Sequence, residues 1–561
     1  MRIKFLANGP LQDLGGSRKG RYRLTINPAY LMLKHYHTLH GKHQPTWLLQ
    51  NFMASKTAQE TVDLLISERV DLLLLSCFVW NMDLQMEIAK LYSEQVAQGC
   101  VVIGGPHLTA HKDQQFFEKH PYVDYVVYGD GEKALSNIID YLATGERSPW
   151  VNTVENVSGK SRLWPFEVLR DEKYWSTSPY LSQKQFIIDN LESLYANTGL
   201  TAKNIMMAVE FARGCMYACA YCDWAQNLTK KVVRRKAEWK LELEFFRDLN
   251  VAMRETDANF GQWKEDLEIY EYALTLHDPK RNFAFMVWNT AKLDKNKDRF
   301  FIPQVETYNR YVTFSFEDTE KGPLEAMNRP SLSWPEQQAV LAKVRDRLGE
   351  LRFNKYVKAE LMLGVPKQSI ATFKENFKKL MAEGISQVIL NQWVLAPNSP
   401  GADLNYQKKH GVEWKDHMVY NAINRDHVPG STEDAYKWAV GNPNFVSMKS
   451  VYKTNDMKYI DIVTVIIAVH ALNSKVIQHK AQQIYAKAIQ NHDMPNMSPV
   501  VDWLFRFSKK RARGIMKLHG HCIKKYGFVL PYIVSDNKFV GDWALGTAQR
   551  KETQENEYPE P

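Results

Sequence analysis

Short, nearly continuous apolar runs separated by amphipathic stretches dominate the first 145 positions of the chain. Residues 3–7, 46–50, 71–78, 100–103 and 125–128 carry the apolar runs, whereas 28–40, 57–68, 84–98 and a stretch opening at Glu132 repeat apolar positions with helical spacing. Strands that are apolar on both faces and separated by helices predict a parallel sheet covered on both sides. Residues 1–145 are therefore expected to form a doubly wound, Rossmann-like α/β domain, with its ligand beyond the carboxyl ends of the strands. Turn residues sit where that topology needs them. Gly104-Gly105-Pro106 follows one run and Gly129-Asp130-Gly131 follows the next.

Residues 146–200 are rich in Ser, Pro, Asn and Trp and weakly periodic, which reads as a linker packed across a domain junction. A second series of apolar runs then begins, at 205–212, 251–256, 283–288, 311–316, 358–364 and 387–394, with helical stretches near 236–248, 263–276, 334–350 and 369–383. Six strands in this order fit a partial (β/α)6 barrel over residues 201–414, with its site at the strand ends. Residues 415–548 read as a helical C-terminal domain, with helical periodicity at 433–440, 458–490 and 498–525. The polar tail, 549–561, is expected to be disordered.

Composition narrows the class. Of 561 residues, 45% are hydrophobic and 24% charged, which belongs to a folded protein and not to a disordered one. The longest apolar runs, 70–79 and 459–472, are too short or too interrupted to cross a bilayer. The opening apolar stretch stops at Asn8-Gly9-Pro10 and reads as a strand, not a signal peptide, so a cytoplasmic location is expected. Six cysteines, three of them within eight positions, do not form a disulfide scaffold. The formal charge is +9, with basic residues gathered at 230–236 and 509–525. Solvated helix faces account for such runs, with an anionic substrate as the alternative; no nucleic-acid partner is expected.

The three clustered cysteines carry the chemistry. Cys215, Cys219 and Cys222 directly follow the first strand of the second series, where a site at the carboxyl face of a barrel begins. Three thiolates at this spacing can wrap one corner of an iron–sulfur cubane and leave the fourth iron open to a small chelating molecule. A structural zinc site normally needs four protein ligands, and no second Cys-x-x-Cys or His-x-x-His stands nearby.

With Tyr221 before the last cysteine, this Cys-x-x-x-Cys-x-x-Cys motif resembles that of the radical S-adenosylmethionine (SAM) superfamily. The resemblance covers roughly residues 200–400. It implies a [4Fe–4S] cluster held by the three cysteines and SAM bound at the open iron. Further segments match the family's SAM-contacting places in order. Asp257-Ala258-Asn259-Phe260-Gly261 follows the second strand, Ser315-Phe316-Glu317 ends the fourth, and Gly364-Val365-Pro366 ends the fifth. The resemblance thus implies SAM contacts from Tyr221, Asp257, Asn259, Ser315, Glu317 and Gly364.

A doubly wound domain ahead of such a barrel resembles the cobalamin-binding branch of that superfamily. The matching positions are Ser76, Trp80, Asn81, Gly104, Gly105, Pro106, Gly129, Gly131 and Glu132, with Gly-Asp-Gly-Glu standing where the branch typically has Gly-Glu-Gly-Glu. Independently of the resemblance, glycines at successive strand ends leave room for a bulky flat cofactor, and helix N-termini after them suit a phosphate. The Asp-x-His-x-x-Gly motif that supplies an axial histidine in many cobalamin enzymes is absent, so His107 is not assigned to cobalt. Trp80 could instead lie beneath the corrin.

The resemblance implies a cobalamin-dependent C-methyltransferase acting on an unactivated carbon, using a 5′-deoxyadenosyl radical and methylcobalamin. The alternatives are a non-methylating outcome (ring contraction, cyclisation or oxidation) and a first domain that binds substrate instead of cobalamin. An external electron donor such as flavodoxin or ferredoxin would reduce the cluster, and the substrate is a small or anionic molecule. Cys77 and Cys100, in or beside buried strands, read as core thiols. Cys522, between His521 and Ile523, makes a poor metal set, and Trp503, Phe505 and Phe507 read as core.

Overall fold

The computed structural model describes residues 1–7, 23–24, 26–50, 57–78, 81–105, 108, 115–215, 217–222, 233–234, 238–261, 263–287, 297–393, 399–415, 419–422, 446–448, 451–454, 456–491, 496–526, 534–535 and 538–539. They fall into two compact units. One comprises Met1–Met216 and Trp224–Ala291; the other comprises Tyr217–Asp223 and Lys292–Pro561.

The first unit opens with β1 (Arg2–Leu6), β2 (Arg23–Leu24), β3 (Thr46–Trp47), β4 (Leu72–Ser76), β5 (Cys100–Gly104) and β6 (Tyr125–Val127). The antiparallel hairpin of β7 (Thr153–Val157) and β8 (Lys160–Leu163) follows. Seven of these strands form one sheet in the order β3-β1-β4-β5-β6-β7-β8, parallel from β3 to β6. Alternation within β4 sends Leu73 and Leu75 into one core with Val62, Ile88 and Tyr92. Leu72 and Leu74 go into the opposite core with Tyr30, Ile138 and Ile139. Each such side chain contributes roughly 1.5–3 kcal/mol by leaving water, so both faces must stay covered. The helices begin on local signals. Asn27 caps helix Pro28–His40 with Pro28 at its first position, and Thr57 and Glu60 form a reciprocal capping box on helix Ala58–Ser67.

Residues 146–200, expected as a linker, instead carry the β7–β8 hairpin that extends the sheet, together with helices Glu172–Ser176 and Lys184–Thr198. The reason is pairing. β7 takes the free edge of β6 with Val126 opposite Val154, and such a partly polar edge strand gives little periodic signal.

The expected six strands of the second series are present. In the first unit, β9 (Ile205–Val209), β12 (Ala252–Glu255) and β13 (Phe285–Met286) run parallel in the order β13-β12-β9-β2. Between them lie β10 (Ala212–Arg213) and β11 (Val233–Arg234), which pair antiparallel. In the second unit, β14 (Val312–Glu317), β15 (Val357–Leu363) and β16 (Val388–Gln392) form a parallel group. The pairing of β2 with β9 brings in a segment from far upstream that no local pattern announces.

The C-terminal region contains helices Tyr459–Leu472, Lys475–Gln490 and Ser498–Tyr526. It also holds short antiparallel pairs, Glu413–Lys415 with Val451–Lys453 and Val419–Ala422 with Val446–Met448, which the helical reading did not anticipate. Residues 433–440 and the tail lie outside the described residues. Among the described residues no helix is long and apolar enough to cross a membrane.

Candidate functional site

Ignoring β2, the first sheet has strand order 2-1-3-4-5, and its topological switch lies between β1 and β4. Ligands of open α/β sheets bind outside the carboxyl ends at that point. Here those ends are Leu6 and Ser76, and Gln85 joins them: its Nε2 donates to both backbone carbonyls at 3.2 Å. Asn81 braces the loop after β4. Its Nδ2 donates to Ser76 O at 3.0 Å, and its Oδ1 accepts from the Phe78 N–H at 2.7 Å. The amide of Asn81 thus ties Ser76 and Phe78 together. Trp80, Pro106 and His107 themselves lie outside the described residues.

Gly105 has φ +119°, and a Cβ there would stand 2.5 Å from Cys77 O and 2.9 Å from Cys77 N. The glycine is needed because the loop after β5 lies directly on the backbone after β4, a reason separate from space for a ligand. Gly104 differs, since a Cβ there would meet nothing closer than Val127 O at 3.5 Å. Gly129, at φ +69°, packs under Phe166.

Glu132, expected as a cobalamin contact, finds partners for its carboxylate within the protein. Its buried carboxylate pairs with Arg213 Nη2 at 2.8 Å and accepts from Tyr174 Oη at 3.0 Å. Arg213 also reaches Asp130 at 3.1 Å and Glu210 at 2.8 Å, and its guanidinium lies 5.1 Å from the centre of the Trp175 ring. Burial opposes ionisation of Glu132, but Arg213 and Tyr174 outweigh it and hold the carboxyl below its usual range. At Asp130 burial wins over Arg213 and pushes the carboxyl up.

Around the exit of β9, Asp257 is almost fully buried and accepts from the N–H groups of Phe211 at 2.7 Å and Ala212 at 3.0 Å. Burial pushes its carboxyl well up despite those two donors. Expected as a SAM contact, Asp257 clamps the backbone that leads into the cysteine loop. Phe211, Phe260 and Phe285 form a ring triangle with centroids 5.7–6.0 Å apart, which fixes the following turn. On that turn Asn259 is 6% exposed, and neither its Oδ1 nor its Nδ2 meets a hydrogen-bond partner among the described residues. A buried amide without partners is costly unless a ligand completes it, which fits SAM at this position.

In the second unit, the segment of Cys219 and Cys222 is anchored by Ala220 N donating to Met327 O at 2.7 Å and by Asn328 Nδ2 donating to Ala218 O at 2.9 Å. Tyr221 Oη donates to Glu317 Oε1 at 3.1 Å. Arg329, whose side chain is 1% exposed, holds Glu317 at 3.4 Å and donates to Ser315 O at 2.7 Å. Burial opposes its charge, but Tyr221, Glu317 and Cys219 around it favour the charged guanidinium and push its pKa up. Glu317 has φ +62° at a bulge in β14, a strained conformation of the sort found at ligand clamps. Ser315 Oγ donates to Glu360 at 2.6 Å and Asn391 Nδ2 to the same carboxylate at 2.5 Å, a polar row across β14, β15 and β16. Gly364, at φ +88°, donates its N–H to Gln368 Oε1 at 2.9 Å.

Cys215 and Cys219 are buried and Cys222 is half-buried, and none of the three forms a disulfide among the described residues, so the donor chemistry suits a thiolate-bound cluster. Among the described residues no three His, Cys, Asp or Glu side chains converge as a metal site, and the assignment of the cluster therefore rests on the motif. Cys77 is a core thiol as expected, and burial pushes it up to about 12, whereas Cys100 is half-buried and packs against the core. Phe505 is buried, but Trp503 is 41% exposed and stacks on Phe507, which corrects its reading as core. The side chain of Cys522 lies outside the described residues. Gln85, Arg213, Arg329, Glu360 and Asn391 were missed, since each acquires its partners only through long-range contacts. Only Arg213, two residues before Cys215, had a sequence signal that could have found it.

Residues 47–139 match the B12 binding domain family. The chain is 30% identical over 347 residues to the cobalamin-dependent radical SAM methyltransferase TokK of Streptomyces tokunonensis, covering 59% of this chain and 48% of that protein. It is also 30% identical over 346 residues to the 2-(S-pantetheinyl)-carbapenam-3-carboxylate methyltransferase of Streptantibioticus cattleyicolor, with the same coverage. The chain spans about half the length of these curated relatives. Among solved structures, the radical SAM methyltransferase TsrM of Kitasatospora setae, with cobalamin and a [4Fe-4S] cluster bound, superposes with TM-score 0.54 at 14% identity over 74% of this chain and 77% of that one. The cobalamin-dependent SAM radical enzyme OxsB gives TM-score 0.57 at 12% identity over 98% of this chain and 75% of that one. The domain match, the curated relatives and the shared fold make this chain similar to cobalamin-dependent radical SAM enzymes.

Proposed function

We propose that the chain is a cobalamin-dependent radical SAM C-methyltransferase that acts on an unactivated carbon of a small or anionic substrate. The observation that carries this reading is the presence, in one chain, of a B12 binding domain match at residues 47–139 and the cysteine triad directly after β9. The names of the two curated relatives support methyl transfer as the outcome.

Cys215, Cys219 and Cys222 would hold the cluster, whose open iron would chelate SAM. The Asn259 amide would complete its hydrogen bonds on SAM. Arg329, beside Cys219, would hold positive charge against the thiolates, while Tyr221 and Ser315 keep Glu317 and Glu360 oriented. The ends of β1 and β4, with Ser76, Gly104, Gly105, Pro106, Gly129 and Gly131, would form the cobalamin face, and Trp80 would cover the lower side of the corrin. When bound, the two cofactors supply the hydrogen-abstracting radical and the methyl group, and the protein supplies position and exclusion of water. A low-potential donor such as flavodoxin or ferredoxin would reduce the cluster.

Product analysis tests the reading. With substrate and reductant, S-adenosylhomocysteine should form together with 5′-deoxyadenosine. If 5′-deoxyadenosine forms alone, the outcome is a non-methylating one such as ring contraction, cyclisation or oxidation.

A further inference from the structure

Arg213 stands two residues before Cys215 and has no place in the chemistry proposed above, yet three carboxylates hold it. Its Nε and Nη2 grip both oxygens of Glu210, at 2.9 and 2.8 Å. Nη1 meets Asp130 at 3.1 Å and Nη2 meets Glu132 at 2.8 Å. The far ends of these contacts are fixed in turn. The Leu169 N–H donates to Asp130 Oδ2 at 2.8 Å, Asn152 Nδ2 donates to Asp130 O at 2.8 Å, and Tyr174 holds Glu132. A guanidinium gripped on several edges has little rotational freedom, so the backbone at Arg213 is pinned to the loop between β6 and helix Glu132–Thr144. Gly214, at φ +92°, then turns the chain into the buried Cys215.

That loop is Gly129-Asp130-Gly131-Glu132, the segment assigned above to the cobalamin face. Gly129 packs under Phe166 and Gly131 against Leu33 and Val127, while the two acids hold Arg213. A ligand that shifts this loop moves the acids, and Arg213 must follow them.

We propose that Arg213 is a positioning residue that energetically links cobalamin occupancy to the loop bearing Cys215, and so to SAM binding at the cluster. The inference rests on the cofactor assignments of the proposed function. Linkage requires the effect to be reciprocal: cobalamin should tighten SAM by the factor by which SAM tightens cobalamin.

The test uses the full chain with its cluster reconstituted and held oxidised, so that no turnover occurs. The Kd for SAM is measured with and without saturating hydroxocobalamin. In the wild type the ratio should be about fivefold or more, the lower end of typical couplings, and in Arg213→Gln it should fall to one. The ratio is the readout because a general loss of stability weakens binding without abolishing its dependence on the second ligand. Should Arg213→Gln fail to fold, the double variant Asp130→Asn, Glu132→Gln keeps the cation and removes its attraction, and it should lose the ratio likewise. A wild type that binds both ligands with a ratio of one, or a folded variant that keeps the wild-type ratio, would overturn the inference and leave the proposed function standing. A wild type that binds no cobalamin would overturn both.

Discussion

Tyr221 donates its hydroxyl to Glu317 at 3.1 Å, joining the residue before the last cysteine of the motif to a strained position at the end of β14. Sequence reading had treated the two as separate contacts. They form one unit with Arg329, and their substitutions should rank accordingly. Tyr221→Phe removes one hydrogen bond and should cost about 1 kcal/mol. Arg329→Met leaves the Glu317 carboxylate buried without its cation and should cost about 3–5 kcal/mol. Thermal denaturation of the two variants checks the order, and equal losses would show that Glu317 does not depend on Arg329.

Asn259→Ala should separate stability from binding. Among the described residues the amide has no partner to lose, so the midpoint of ligand-free unfolding should not fall. SAM affinity should drop about tenfold or more, equivalent to ~1.4 kcal/mol. Equilibrium dialysis on the reconstituted protein measures the affinity; unchanged binding removes Asn259 from the site.

Gly104 and Gly105 make a matched pair. Gly105→Ala sets a Cβ against the Cys77 backbone at a positive φ and should lower the melting temperature together with cobalamin binding. Gly104→Ala meets only ordinary contacts within the protein and should leave the melting temperature intact. If a corrin lies against Gly104, its binding should still weaken in that variant. A Gly104→Ala protein with full cobalamin affinity places the cofactor elsewhere.

Replacing Cys215, Cys219 and Cys222 together by Ala should abolish the charge-transfer absorbance of the cluster and all formation of 5′-deoxyadenosine, while the protein stays soluble. Persistent cluster-dependent cleavage of SAM in this variant would refute the assignment of the triad.

Cobalt(II) bound to the protein should show no nitrogen hyperfine splitting from a protein imidazole in electron paramagnetic resonance. The absence of an Asp-x-His-x-x-Gly motif and the position of Trp80 just after β4 motivate this expectation. Imidazole splitting that disappears in His107→Ala would give the lower axial position to His107 instead.

Periodicity made both sheet series legible, because a strand buried on two faces must be apolar at successive positions whatever surrounds it. Leu72–Ser76 could be read from its own residues, as could the capped helix Pro28–His40. The cysteine triad was equally legible, since ligand spacing is a property of the chain itself. The hairpin β7–β8 was not, because its strands are held by the edge of β6 and not by an apolar pattern of their own. Glu132 shows the same limit at the site. A motif identified the position, but whether its carboxylate meets a ligand or Arg213 depends on a contact between residues 81 positions apart.

By itself, the sequence determined most of the buried strands and amphipathic helices, the spacing of the three cysteines and the glycine turns, all of which follow from local sterics, spacing and hydrophobic period. Only the tertiary structure decided that Asp257 clamps backbone, that the Asn259 amide is buried with no partner among the described residues, and that Glu132 serves Arg213. The physical reason is that a polar side chain can satisfy its hydrogen bonds in several ways of similar energy, and long-range packing selects among them by fixing which donors and acceptors lie within reach.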